Sequence, residues 1–366
     1  MAPLNLAVFS AKSYDREYLL RAHAALNSSA SSSSPSPSTP SENRASLTLT
    51  FHEFALSAET VPLARGADAV CVFVNDALPA PVLRALYDEG VRAVLLRCAG
   101  YNHVDLAAAE QLGLFVANVP SYSPEAVAEF SVALIQTLNR KTHRAYNRVR
   151  EGNFSLDGLM GKTLCGKTVG VVGTGKIGLA TARILRGFGC RLLAYDPFPT
   201  DAFGEFGEYV GLEELLGQSD YVSLHCPLTD ATRHIINART LGMMKNGAVL
   251  INTSRGGLVN TESVIAALKR KHLGGLALDV YEGEGSLFYQ DHSAEIIQDD
   301  QLMRLMTFPN VLVCGHQAFF TEEALTEIAE CTLRNLDDFI NQVPCKNSLV
   351  KQGHGLVRRE SLPVRI

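Results

Sequence analysis

The chain has 366 residues, 46% of them hydrophobic and 19% charged, with a net charge of -5. That length is too great for one core, which rarely grows past about 250–300 residues, so two domains are expected. The weak acidity argues against nucleic acid or an anionic membrane as the main partner, and no apolar run approaches the about 18 residues needed to span a bilayer.

The first ten residues lack the charged start of a signal peptide. The eight cysteines show neither C-x-x-C pairing nor metal-ligand spacing, and most lie in apolar runs. A cytoplasmic protein with reduced cysteines and no metal is expected.

Residues 4–9 read as a first strand and residues 14–26 as an amphipathic helix. Residues 27–43 are dominated by serine and proline. Such a stretch buries too little apolar surface to offset its ordering entropy, so a disordered surface loop is expected. Strand-like sequence resumes at residues 47–51 and 69–74, followed by a helix around 82–88. Further strands fall at 93–97 and 114–118, the first running into the loop Cys98-Ala-Gly-Tyr-Asn-His103. Strand–helix alternation of this kind implies a parallel sheet with helices on both faces. From residue 123 to 150 the pattern predicts one long helix, with Ser123 as N-cap and Pro124 at the first helical position. Its basic second half reads as a solvated face.

The most informative stretch is Lys167-Thr-Val-Gly-Val-Val-Gly-Thr-Gly-Lys-Ile-Gly-Leu-Ala180. A β-branched run leads into Gly173, Gly175 and Gly178, spaced G-x-G-x-x-G, and a helix follows. In that context the spacing is a dinucleotide fingerprint. The first glycine permits the tight turn, the second lets backbone approach a pyrophosphate, and the third lets helix pack on strand. A second strand at 191–195 ends in Asp196, where the acidic ribose ligand is expected.

The alternation then repeats with strands at 220–224, 248–252, 275–279 and 310–314. Each ends in a polar cluster, and ligands of open α/β sheets sit at those carboxyl ends. A last helix is expected over 322–341.

Six segments resemble a known family. They are Val119-Pro-Ser-Tyr-Ser-Pro124, Val171-Val-Gly-Thr-Gly-Lys-Ile-Gly178, His225-Cys-Pro-Leu-Thr229, Asn252-Thr-Ser-Arg-Gly256, Leu278-Asp-Val-Tyr-Glu-Gly-Glu284 and Gly315-His-Gln-Ala-Phe319. In this order they resemble the D-isomer-specific 2-hydroxyacid dehydrogenases, over about residues 4–341. The resemblance implies two doubly wound parallel-sheet (Rossmann-like) α/β domains, with the cofactor domain inserted into the substrate domain. The substrate domain would comprise residues 1–120 and 319–366, and the NAD-binding domain residues 121–318, joined by two long helices. It further implies a homodimer or homotetramer, a small 2-keto or 2-hydroxy acid as substrate, and reduction of pyruvate to D-lactate with NADH. A sibling acting on hydroxypyruvate, glyoxylate or phenylpyruvate, or an NAD-sensing corepressor, are the alternatives.

Residue by residue, the family pattern assigns Arg255 to the substrate carboxylate, which a planar guanidinium grips bidentately. His316 becomes the proton donor, an imidazole being able to give and retake a proton near neutrality. Glu284 becomes its carboxylate partner, and Glu282 is expected to be a solvated loop carboxylate. The backbone of Ala99 and Gly100 would help hold the substrate carboxylate, with Phe73, Tyr122 and Phe319 around it. Lys176 and Ile177 join the three glycines at the pyrophosphate. Cys226, Pro227 and Thr232 line the adenosine side, Thr253 and Ser254 the nicotinamide side, and Asp279 holds the carboxamide.

Overall fold

The apolar runs form strands that pair in parallel throughout two sheets. A computed structural model describes residues 4–32 and 47–351, apart from the side chains of 29–32 and 286. The chain divides into two units, Met1–Tyr122 with Thr321–Ile366, and Ser123–Phe320.

In the first unit the strands are β1 (Leu4–Val8), β2 (Leu47–Phe51), β3 (Ala69–Val72), β4 (Ala93–Leu96) and β5 (Phe115–Ala117), in the spatial order β2-β1-β3-β4-β5. Strands β3 and β4 are buried at every position, as befits a parallel sheet covered on both faces. One cover is the helix Glu322–Ile340, which sets Ala329, Leu333, Leu336 and Phe339 into a core with Leu6, Val8 and Leu95. Ser348 then forms an antiparallel bridge to Ala117. Residues beyond 320 therefore complete a sheet that begins at Leu4.

The second unit holds β6 (Thr168–Val172), β7 (Arg191–Tyr195), β8 (Glu208–Tyr209), β9 (Tyr221–Leu224), β10 (Val249–Asn252), β11 (Gly275–Leu278) and β12 (Val311–Val313). Their order is β12-β11-β10-β9-β6-β7-β8. Along β7, Leu192 and Ala194 enter one apolar cluster and Leu193 the other, so the sheet is cored on both faces. The chain winds outward from β6 in one direction and from β9 in the other. The switch point between them is where such sheets bind nucleotides, at the carboxyl ends.

Two expectations need correction. The first helix runs Ser13–Ser32, six residues into the stretch read as a loop. Those residues, Asn27-Ser-Ser-Ala-Ser-Ser32, contain neither glycine nor proline, so nothing in them stops a helix already begun. Residues 33–43 lie outside the described residues. The single helix expected over 123–150 is two, Pro124–Arg140 and Thr142–Arg150. The break is Lys141, left-handed at φ 53. Its Nζ donates to the carbonyl of Met160, and the Asn139 side chain is bonded to Lys162 N–H and C=O at 2.9 and 2.7 Å. The returning segment thus fastens the corner. No helix among the described residues is long and apolar enough to cross a membrane, and no group of three or more metal-ligating side chains is present among them.

Candidate active site

The glycine turn sits at the carboxyl end of β6, against the end of β9. Gly173 has φ +95, and a Cβ there would lie 2.7 Å from Cys226 N. A Cβ on Gly178 would lie 2.1 Å from the carbonyl of Gly173. Only glycine serves at either place. At Gly175, by contrast, a Cβ would meet nothing within 4 Å. Gly175 is also the N-cap of the helix Lys176–Gly187, which no side chain caps. A turn open at its second glycine, followed by an uncapped helix start, fits a pyrophosphate.

Asp196 closes the other side of this turn. Its Oδ2 accepts from Thr174 N at 2.7 Å and Thr174 Oγ1 at 3.1 Å, and its Oδ1 accepts from Phe198 N at 2.9 Å. A carboxylate offers about four acceptor positions. Three are used, and one on Oδ1 remains for a ribose hydroxyl. Lys176 and Ile177 open the adjoining helix.

At the end of β9, Cys226 is buried, and burial pushes its thiol up to about 11. Pro227 and Thr232 frame the exposed loop that follows, with Thr232 Oγ1 donating to Pro227 O at 2.6 Å. Next to them His225 shares a 2.8 Å bond between Nε2 and Ser223 Oγ, while its Nδ1 is sealed from solvent without a described partner. Burial lowers this ring from an ordinary 6.5 to about 4. The unfolded chain therefore takes up a proton that the folded chain refuses. Stability contributed by neutral His225 is complete above pH 6.5 and is lost as pH falls toward 4. At pH 5 the loss is about 2 kcal/mol. Urea midpoints of the wild type and His225→Asn at pH 7 and pH 5 should show a smaller pH effect in the variant. Equal pH effects would contradict the assignment.

The loop after β10 is clipped by Asn252, which is fully buried. Its Nδ2 donates to Arg255 O at 2.8 Å, and its Oδ1 accepts from Ser254 N at 3.0 Å. Ser254 Oγ donates to Cys226 O at 2.7 Å, joining this loop to the end of β9. Thr253 is buried with Oγ1 2.7 Å from Ser131 Oγ. Since Ser131 gives its proton to Val127 O at 2.8 Å, Thr253 must be the donor between the two hydroxyls. Among the described residues, the Arg255 guanidinium donates only from Nη1 to Ser254 O, at 2.7 Å. No carboxylate pairs with it among the described residues. A guanidinium fixed at its backbone and unpaired at its fork suits a carboxylate ligand.

His316 and Glu284 meet directly: Nδ1 lies 2.9 Å from Oε1, and the side chains are 16% and 18% exposed. Glu284 Oε2 accepts from Tyr281 N at 2.8 Å, which fixes the carboxylate. A carboxylate only accepts, so Nδ1 carries the proton and Nε2 is left to exchange one with a ligand. Asp279 is fully buried, and its two oxygens accept from Gln317 N and Ala318 N, each at 2.9 Å. Burial raises its pKa, against the pull of those two N–H groups. Its visible work is to anchor the turn that carries His316.

Glu282 is exposed, as expected of a loop carboxylate, and is also engaged by neighbours. It pairs with His234 Nε2 and accepts from Thr261 N and Oγ1 at 3.3 and 3.0 Å. Tyr289 was not foreseen at all. Its hydroxyl donates to His316 O at 3.1 Å, and its ring centroid lies 5.8 Å from the imidazole. Phe319 is buried and stands at 84° to the same imidazole, 6.5 Å between centroids.

Four remaining residues belong to the first unit. Ala99 O accepts from Asn118 Nδ2 at 2.8 Å, and Gly100 O from Cys98 Sγ at 3.2 Å. The N–H groups of Ala99 and Gly100 donate to none of the described residues, the state expected of an anion cradle. Phe73 is buried under Arg97, whose guanidinium carbon lies 4.9 Å from the ring centroid. Arg97 is itself held by Asp15, Nε to Oδ1 2.9 Å, with side chains 1% and 7% exposed. Tyr122 is partly buried at the end of this segment.

Residues 132–318 match the family model for the D-isomer specific 2-hydroxyacid dehydrogenase NAD binding domain. The chain is 65% identical to 2-hydroxyacid dehydrogenase A of Aspergillus oryzae, covering 99% of this chain and 100% of that one. It is 64% identical to the D-lactate dehydrogenase kk1H of Curvularia clavata, covering 98% of each. The apo-structure of D-lactate dehydrogenase from Escherichia coli superposes with a TM-score of 0.83 at 46% identity, over 95% of this chain and 100% of that one. The chain belongs to the D-isomer-specific 2-hydroxyacid dehydrogenase family. It is an NAD-dependent oxidoreductase of two parallel-sheet α/β units.

Proposed function

We propose that the protein reduces pyruvate to D-lactate, with His316 as acid, Glu284 as its partner and Arg255 as the carboxylate clamp. The observation that carries this is the His316–Glu284 pair, 2.9 Å apart, at the carboxyl end of a sheet bearing the dinucleotide turn. NADH, when bound, supplies a hydride to the keto carbon. His316 Nε2 delivers a proton to the oxygen as it becomes an alkoxide, and Glu284 stabilises the imidazolium before that transfer. Arg255 holds the carboxylate and draws charge from the adjoining carbonyl. In the oxidative direction neutral His316 takes the proton back. The first unit serves as substrate domain, with Ala99, Gly100, Phe73 and Tyr122 as substrate contacts, and the second as cofactor domain.

The deciding experiment is a panel of 2-keto acids assayed with NADH and with NADPH. Pyruvate should give the highest kcat/KM, and a clear preference for hydroxypyruvate, glyoxylate or phenylpyruvate would replace the substrate named here. NADH should exceed NADPH by about tenfold or more, because Asp196 accepts from a ribose hydroxyl but repels a 2′-phosphate. Comparable efficiency with both would remove Asp196 from that role.

We also propose a homo-oligomer in the cytoplasm. Phe154, Leu156 and Met160 are 75%, 82% and 86% exposed in one short segment, an apolar display suited to a second copy. Sedimentation velocity decides it, and a monomer at micromolar concentration would refute it.

A further inference from the structure

We propose that Tyr289 is a positioning residue for His316, fixing the backbone of the proton donor from one side and bracing its ring from another. The inference rests on the reading of His316 as the acid. Both residues adopt the left-handed region, His316 at φ 54 and Tyr289 at φ 68, and neither is glycine. Backbone of this kind is disfavoured for L-residues and persists where surroundings over-determine it.

Around His316 those surroundings can be named. Its N–H donates to Asp279 O at 2.7 Å, and the next two N–H groups donate to the Asp279 carboxylate. Its ring Nδ1 is held by Glu284. Its carbonyl accepts the Tyr289 hydroxyl at 3.1 Å, which sets the plane of the following peptide and with it the ψ of His316. Asp279 holds the turn on its N–H side, and Tyr289 holds it on the carbonyl side.

Tyr289 also touches the ring. The two rings are tilted by 37° with centroids 5.8 Å apart, and a ring within about 6 Å favours a cation over a neutral group where its face is presented. Nε2 must keep one aim through both charge states of the imidazole, because it gives a proton in one direction and takes it in the other. A brace independent of Glu284 serves that need. The loop carrying Tyr289 is closed at its ends by Tyr281 OH, which donates to Asp299 Oδ1 at 2.9 Å.

The test is a cycle of Tyr289→Phe, Tyr289→Leu, His316→Gln and the double variants. The readouts are kcat, KM, pH profiles of keto-acid reduction, NADH binding by fluorescence, and Tm. Tyr289→Phe removes the hydrogen bond and keeps the ring. We expect kcat to fall about five- to tenfold, with keto-acid KM and NADH affinity nearly unchanged and the alkaline limb in place. Tyr289→Leu loses ring and hydroxyl, so kcat should fall further and the alkaline limb should move to lower pH. On the His316→Gln background neither change should cost more activity. A loss there equal to that in the wild type would overturn the proposal, as would parallel loss of Tm and NADH binding in Tyr289→Phe. Near-normal turnover of His316→Gln alone would instead strike down the reading of His316, and this inference with it.

Discussion

His316→Gln should still bind NADH and should lose turnover by about 10²–10⁴-fold in both directions, the range that a positioned general acid supplies. Glutamine keeps a polar side chain beside Glu284, yet it cannot exchange a proton at the place of Nε2. The companion variant is Glu284→Gln. With the carboxylate 2.9 Å from Nδ1 replaced by a neutral amide, the protonated ring loses its stabilisation. Reduction needs His316 protonated, so the alkaline limb of its rate profile should move to lower pH. Oxidation needs it neutral and should persist into more acidic solution. Paired pH–rate profiles at saturating NADH and NAD read both movements, and a stationary alkaline limb would remove Glu284 from the role. Glu282 is no substitute, because its carboxylate bonds His234 and Thr261, whereas Glu284 is the carboxylate on the His316 ring.

Arg255→Lys should cost about two to three orders of magnitude in kcat/KM although the charge is kept. The loop would survive, since Asn252 grips the backbone of residues 254 and 255 and not the guanidinium. What is lost is the fork. An ammonium on a flexible stem cannot form two parallel hydrogen bonds to a carboxylate, so both affinity and polarisation of the carbonyl decline. A lysine variant with near wild-type efficiency would place the carboxylate elsewhere.

Much of this was legible in the sequence because it depends on local spacing. Gly173 and Gly178 are demanded by close approaches within a few residues or across one strand pair, and their period shows it. Strands buried on both faces announce themselves as unbroken apolar runs, as in β3, β4 and β11. Other features carried no such mark. Lys141 turns left-handed without a glycine, because its corner is held by residues about 20 positions away. Tyr289 lies 27 residues from His316 in an irregular segment, where no periodicity points at a partner. The last six residues of the first helix have a loop's composition, and the helix simply propagates through them. The family resemblance gives Asp279 a ligand, but no spacing in the sequence shows that its buried carboxylate also anchors the turn carrying His316.

The division of the first unit into two stretches of chain has a consequence for synthesis. Residues from Ser123 to Phe320 are contiguous and can collapse as soon as they leave the ribosome. The sheet begun by β1 must wait for its last cover, since Leu333, Leu336 and Phe339 emerge some 200 residues after Tyr122. At about 5–20 residues per second that delay is roughly 10–40 s. For that interval the apolar side of β1 and β4 that those residues will cover stands bare, a natural hold for a chaperone. The order of emergence thus makes the nucleotide-binding half the first to become protease-resistant, and leaves the half that begins the chain to finish last.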